Sequence, residues 1–119
     1  MLEITSKDNK VIKNIIKLIN KPKHRKEQGL FVVEGVRLCT DAVRSGAEIE
    51  TFICTKDALE KHTKTVEILT QNADNSYVVT PNIFSMISDT QTPQGVICVV
   101  KALDNRLQFD KINGKYVLL

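Results

Sequence analysis

The chain has 119 residues, 42% hydrophobic and 26% charged, with a formal net charge of +3. That length fits one domain with a core of its own and is too short for two, and the ordinary apolar fraction excludes wholesale disorder. No apolar run is long enough to cross a membrane, and the opening MLEITSKDNK lacks the apolar stretch of a secretory signal, so no membrane partner is expected.

The charge is unevenly placed. Residues 1–26 hold eight Lys or Arg against Glu3 and Asp8, whereas the remaining residues hold nine against twelve acids. A basic front on a mildly acidic body points to a polyanion contact, and the anion is taken to be RNA. Cys39, Cys54 and Cys98 are widely spaced within apolar patterns and read as reduced core thiols of a cytoplasmic protein.

In chain order, Thr5 or Ser6 offers an N-cap for a first helix, with Asp8 in its first turn. Ile12, Ile15, Ile16 and Ile19 then recur at the spacing of one helix face, and Lys10, Lys13, Lys17 and Lys21 fall on the opposite one. Pro22 ends that helix, because the residue before a proline is pushed out of the helical region. The run from Lys21 to Lys26 (KPKHRK) then reads as a cationic loop that continues the lysine stripe.

Leu30 to Val33 is an uninterrupted apolar run and predicts a buried strand, after which Glu34-Gly35 turns into a second helix. That helix buries Val36, Cys39, Ala42 and Val43 and closes at Gly46. Ile49 to Cys54 predicts a second strand, and Thr55 caps a third helix that breaks near His62-Thr63. Tyr77 to Val79 is a third strand, and Thr80-Pro81 opens a fourth helix through Met86. A polar segment, Ser88 to Gln94, leads into a last strand from Gly95 to Val100. Strands that alternate with helices, each strand nearly all apolar, predict an α/β layered domain with a mostly parallel sheet.

Residues 1–101 are expected to be this domain, residues 102–115 a linker, and Tyr116–Leu119 the first strand of a truncated second domain. Sites of chemistry are few. The five glycines have no phosphate-loop spacing, and His24 and His62 lack partners at metal-ligand spacing. Glu34 reads either as a helix-terminal charge or as a clamp on Arg25 or Arg37. Thr92, Gln94 and Gly95 read either as a plain turn or as a ligand-facing loop. Phe31, Phe52, Tyr77 and Tyr116 sit in apolar runs, so recognition by shape and backbone charge is expected over base stacking.

The combination of Arg25, Phe31-Val32-Val33-Glu34-Gly35 and Arg37 with Thr92-Pro93-Gln94-Gly95-Val96 resembles the N-terminal substrate-binding domain of SpoU/TrmH-type RNA 2′-O-ribose methyltransferases. The resemblance implies a three-layer α/β/α sandwich with a mixed sheet, like the kink-turn-binding ribosomal-protein fold. It also implies a knotted domain further along that binds S-adenosylmethionine and forms homodimers. By the same resemblance this chain holds no catalytic or donor-binding residue and binds no S-adenosylmethionine itself. Its RNA contacts, with ribosomal RNA as the expected class, are expected at Lys13, Lys17, Lys21, Lys23, Arg25, Lys26 and Arg37. Phe31, Glu34, Gly35, Thr92, Gln94 and Gly95 match the motif, as packing or as RNA-facing residues. The rival readings are a stand-alone, non-catalytic RNA-binding module of the kink-turn class and a domain that docks an acidic protein.

Overall fold

The computed structural model describes residues 1–102. The expected linker beyond Ala102 and the expected strand at Tyr116–Leu119 lie outside the described residues. Five strands, β1 (Leu2–Ile4), β2 (Leu30–Glu34), β3 (Ile49–Thr55), β4 (Ala73–Val79) and β5 (Val96–Lys101), form one sheet in the order β1-β4-β3-β5-β2. β4 lies parallel to both β1 and β3, and β5 lies antiparallel to both β3 and β2. Four strands therefore run in one direction, and β5 runs against them.

The helices are α1 (Lys10–Asn20), α2 (Pro22–Gln28), α3 (Val36–Arg44), α4 (Lys56–Lys61), α5 (Thr63–Asn72) and α6 (Pro81–Ile87). Each strand presents alternate side chains to opposite faces, and the helices cover both, which gives the expected three-layer α/β/α sandwich. Along β5, Val96, Cys98 and Val100 join the core under α3, α4 and α5, whereas Ile97 and Val99 join the core under α1 and α6. Phe31 and Phe52 lie fully buried in the first core. Cys39, Cys54 and Cys98 are free and buried there as well. A hydrogen bond with Cys98, together with burial, raises the pKa of the Cys39 thiol, and burial pushes that of Cys54 up to about 11.

One irregularity matters later. Against β5, Ile49 pairs with Val100 and Thr51 with Val99, so Glu50 is an extra residue and β3 bulges. Ile49 and Phe52, three apart, therefore share one face, whereas strict alternation would split them.

The structure departs from the sequence reading at the N-terminus. Leu2–Ile4 is a strand, paired in parallel with Tyr77–Val79. The N-cap of α1 is then Asn9, whose Oδ1 accepts from the Val11 N–H at 2.8 Å, in place of Thr5 or Ser6. The buried stripe of α1 is Ile12, Ile15 and Leu18, with Ile16 and Ile19 only partly covered.

The run expected to be a cationic loop is the helix α2. Lys21 is extended (φ −129°, ψ 109°), as a residue before proline prefers, and Pro22 takes the first helical position, where its missing N–H costs nothing. Gly29 closes the helix in the left-handed conformation (φ 67°), and its N–H donates to the Arg25 carbonyl.

Candidate nucleic-acid interface

α1 and α2 form a tight helical hairpin, and its fastenings are specific. The Asn14 and Gln28 side-chain amides exchange two hydrogen bonds, at 2.9 and 2.8 Å. Arg25 reaches back so that Nη1 donates to the carbonyls of Leu18 (2.6 Å) and Ile19 (3.1 Å). Those carbonyls belong to the last turn of α1, where no intrahelical N–H is left to satisfy them. Nε of Arg25 is buried and has no partner among the described residues. This corrects the reading of Arg25 as a phosphate contact: its guanidinium is turned inward and fastens α2 to the end of α1. It also corrects the reading of Glu34 as a clamp on Arg25.

With the hairpin fixed, Lys10, Lys13 and Lys17 on α1, Lys21 at the corner, and Lys23 and Lys26 on α2 are all exposed. Lys13 and Lys17 are one turn apart, which makes them neighbours on the helix surface. Among the described residues, none of these six lysines is in an ion pair. The other lysines near acids behave differently. Lys101 holds Asp74 at 3.0 Å and Glu48 at 3.7 Å, Lys61 holds Asp57, and Lys56 holds Glu3. The hydrogen bond and charge of Asp74 raise the pKa of Lys101, so its charge is matched within the fold. The six lysines of the hairpin have no such match among the described residues.

Arg37 is exposed but does not join them. It lies in the first turn of α3, beyond the C-terminal end of β2, whereas α2 precedes the N-terminal end of that strand. Moreover, α3 packs on the opposite face of the sheet from α1.

The motif residues meet at that far end, and their contacts are internal. The Glu34 carboxylate accepts from the Ser88 hydroxyl at 2.5 Å and from the Asp89 N–H at 2.9 Å, which pins the 88–95 segment to β2. Gln94 Oε1 accepts from the Val36 N–H at 2.8 Å and so caps α3 from 58 residues away. The Gly35 N–H donates to the Val96 carbonyl, and the Thr55 N–H to the Gly95 carbonyl, each at 3.0 Å. Gly95 has φ +84°, and a Cβ there would collide with Thr55 Oγ1 and crowd Ala58. Thr92 is exposed on the same segment, its N–H donating to Thr90 Oγ1 at 3.3 Å. Phe31, the remaining motif residue, is buried in the core.

Sequence reasoning missed a groove of about 310 Å³ beside α1. Lys10, Asn14, Glu50, Thr51, Asn75 and Tyr77 line it, over Val11, Ile15 and Val99. Tyr77 lies in an apolar run and is only partly buried. The strand alternation that puts Tyr77 on the α1 side was legible, but the bulge that opens the groove was not.

The α/β/α scaffold thus carries an exposed cationic flank and, among the described residues, no cluster of metal-ligating side chains. The chain belongs to the MRM3-like substrate-binding domain family, whose model matches residues 9–98. Among solved structures it is similar to an rRNA methyltransferase from Sinorhizobium meliloti, at 27% identity and a TM-score of 0.68, over 83% of this chain and 36% of that one. It shares its fold with an RNA 2′-O ribose methyltransferase, at 23% identity and a TM-score of 0.74, over 98% of this chain and 41% of that one. It also shares its fold with the SpoU methyltransferase AviRb from Streptomyces viridochromogenes in complex with AdoMet, at 21% identity and a TM-score of 0.66, over 85% of this chain and 38% of that one. No curated protein matches the chain. The chain thus spans little more than a third of each of these solved methyltransferases.

Proposed function

We propose that this domain docks RNA, with ribosomal RNA as the substrate class, for an S-adenosylmethionine-dependent 2′-O-ribose methyltransferase of the SpoU/TrmH family. The observation that carries the reading is the set of six exposed lysines on α1, its corner and α2, none with an acidic partner among the described residues. Such a face neutralises phosphates and fixes register without reading sequence. The family match and the activities of the solved neighbours support the substrate class.

In this reading the methyl donor, the catalytic residues and the homodimer contact belong to a further domain of the full-length protein. The present chain binds no donor and transfers no methyl group by itself. The buried free thiols suit a reducing cytoplasm.

The test is RNA binding measured against salt. The triple change Lys21→Ala, Lys23→Ala, Lys26→Ala should weaken binding equally across sequences and flatten the log–log salt slope by roughly two to three. Unchanged affinity and slope would remove the hairpin as the contact surface. In the full-length protein, calorimetry should detect S-adenosylmethionine binding and sedimentation a dimer. A full-length protein without donor affinity would overturn the methyltransferase assignment.

A further inference from the structure

We propose that the groove between α1 and the bulged strand β3 is a subsite for one unpaired nucleobase, which it selects by an exocyclic amino group. The inference rests on the RNA-docking reading above and adds base recognition to a surface otherwise limited to backbone charge.

The groove is continuous with the lysine face, because Lys10 belongs to both. Its floor is apolar, formed by Val11, Ile15 and Val99. One wall is the Tyr77 side chain, partly buried on the same face. No hydrogen-bond partner holds its hydroxyl among the described residues. A planar ring held at the edge of an apolar slot is the feature that lets an unstacked base leave water.

The polar end of the groove is set by the bulge. The extra residue Glu50 and its neighbour Thr51 both line the groove, where a regular strand would send them to opposite faces. The Thr51 hydroxyl donates to Glu50 Oε1 at 3.1 Å, and the Asn75 amide donates to the Glu50 carbonyl at 3.4 Å. These contacts hold the bulge and leave Oε2 without a partner among the described residues. Glu50 is half-buried and has no cation partner among the described residues, since Lys101 takes Asp74 and Glu48 instead.

A carboxylate accepts hydrogen bonds and donates none. It therefore suits the amino edges of guanine, cytosine or adenine and repels the two carbonyl oxygens of uracil. Lys10, on the lip, then meets the phosphate of the same or the next nucleotide. One groove thus offers a carboxylate to the base and a lysine to the backbone.

The test uses this chain and four RNA octamers of uridine that carry G, C, A or U at one central position. The three amino-bearing octamers should bind about five- to tenfold tighter than octauridine. Glu50→Gln should reduce that preference to within about twofold while leaving the salt slope unchanged. Tyr77→Phe should bind like the parent, and Tyr77→Val, which keeps a good strand former, should lose about five- to tenfold for the three amino-bearing octamers. Equal binding of all four octamers by the parent chain, or a preference that survives Glu50→Gln, would overturn the subsite. Octamers that bind with a steep salt slope but no base preference sink this inference and leave the docking face standing. Loss of all salt-dependent binding sinks both.

Discussion

The two ends of β2 carry opposite kinds of residue. At its N-terminal end, the α1–α2 hairpin presents lysines that the fold does not use. At its C-terminal end, Glu34, Gly35, Gln94 and Gly95 hydrogen-bond within the fold, to Ser88, Asp89, Val96, Val36 and Thr55. The motif by which the chain resembles its family is thus mostly a latch that closes the sheet. The residues free to meet a partner carry no motif, only charge and spacing. A recognisable pattern and a working surface need not coincide in one molecule.

Changes on the latch should cost stability, and changes on the lysine face should cost only affinity. The largest effect is expected for Gly95→Ala. Its left-handed backbone and the collision with Thr55 act together, for roughly 3 kcal/mol or more in urea unfolding. A loss under about 1 kcal/mol there would show that the latch is loose. Arg25→Ala should follow at about 2 kcal/mol, since it removes a charged donor from two carbonyls at the end of α1. Its salt slope for RNA should not move, and a slope that falls by nearly one would return Arg25 to the contact set. Gln94→Ala should cost about 1 kcal/mol through the lost cap on α3.

The lysine triple variant should unfold within about 0.5 kcal/mol of the parent, however badly it binds. High pH supplies a further, milder test. The raised thiols of Cys54 and Cys39 stay neutral in the fold, whereas in the unfolded chain a thiol ionises near its ordinary value of 9.0. The contribution of Cys54 is therefore complete below about pH 9 and is lost as pH rises through about 11, and that of Cys39 falls in the same direction. Changing Cys54 to Ala should shallow that alkaline slope.

Most of the layered fold was legible from periodicity. β2, β3, β5, α3 and the break between α4 and α5 announce themselves through apolar runs, a capping threonine and a closing glycine. β1 was not, because three residues with two exposed side chains carry no period. α2 differs for another reason: its run of charge suggests a loop, although Pro22 at the first position and Gly29 just past the last together mark a helix.

Of the candidate site, the lysine stripe could be read directly, since exposure follows from the helix face. The inward turn of Arg25 could not, because nothing in a sequence says which cation reaches back to a carbonyl seven residues earlier. The groove at Glu50 was equally hidden. A bulge is a mismatch between two strands, here β3 and β5, whose paired residues are about fifty positions apart.

The sheet order has a consequence for how the molecule is made. β5 is the last of the five strands to be synthesised, yet it lies between β3 and β2. Until it arrives, β2 has no neighbour in the sheet, and the hairpin that bears the lysines has no sheet edge to lean on. On a ribosome delivering roughly 5–20 residues each second, the strands and helices up to α6 wait about one to three seconds as an open set for the piece that joins them. The cationic surface is therefore complete only once the chain has been extended through Lys101.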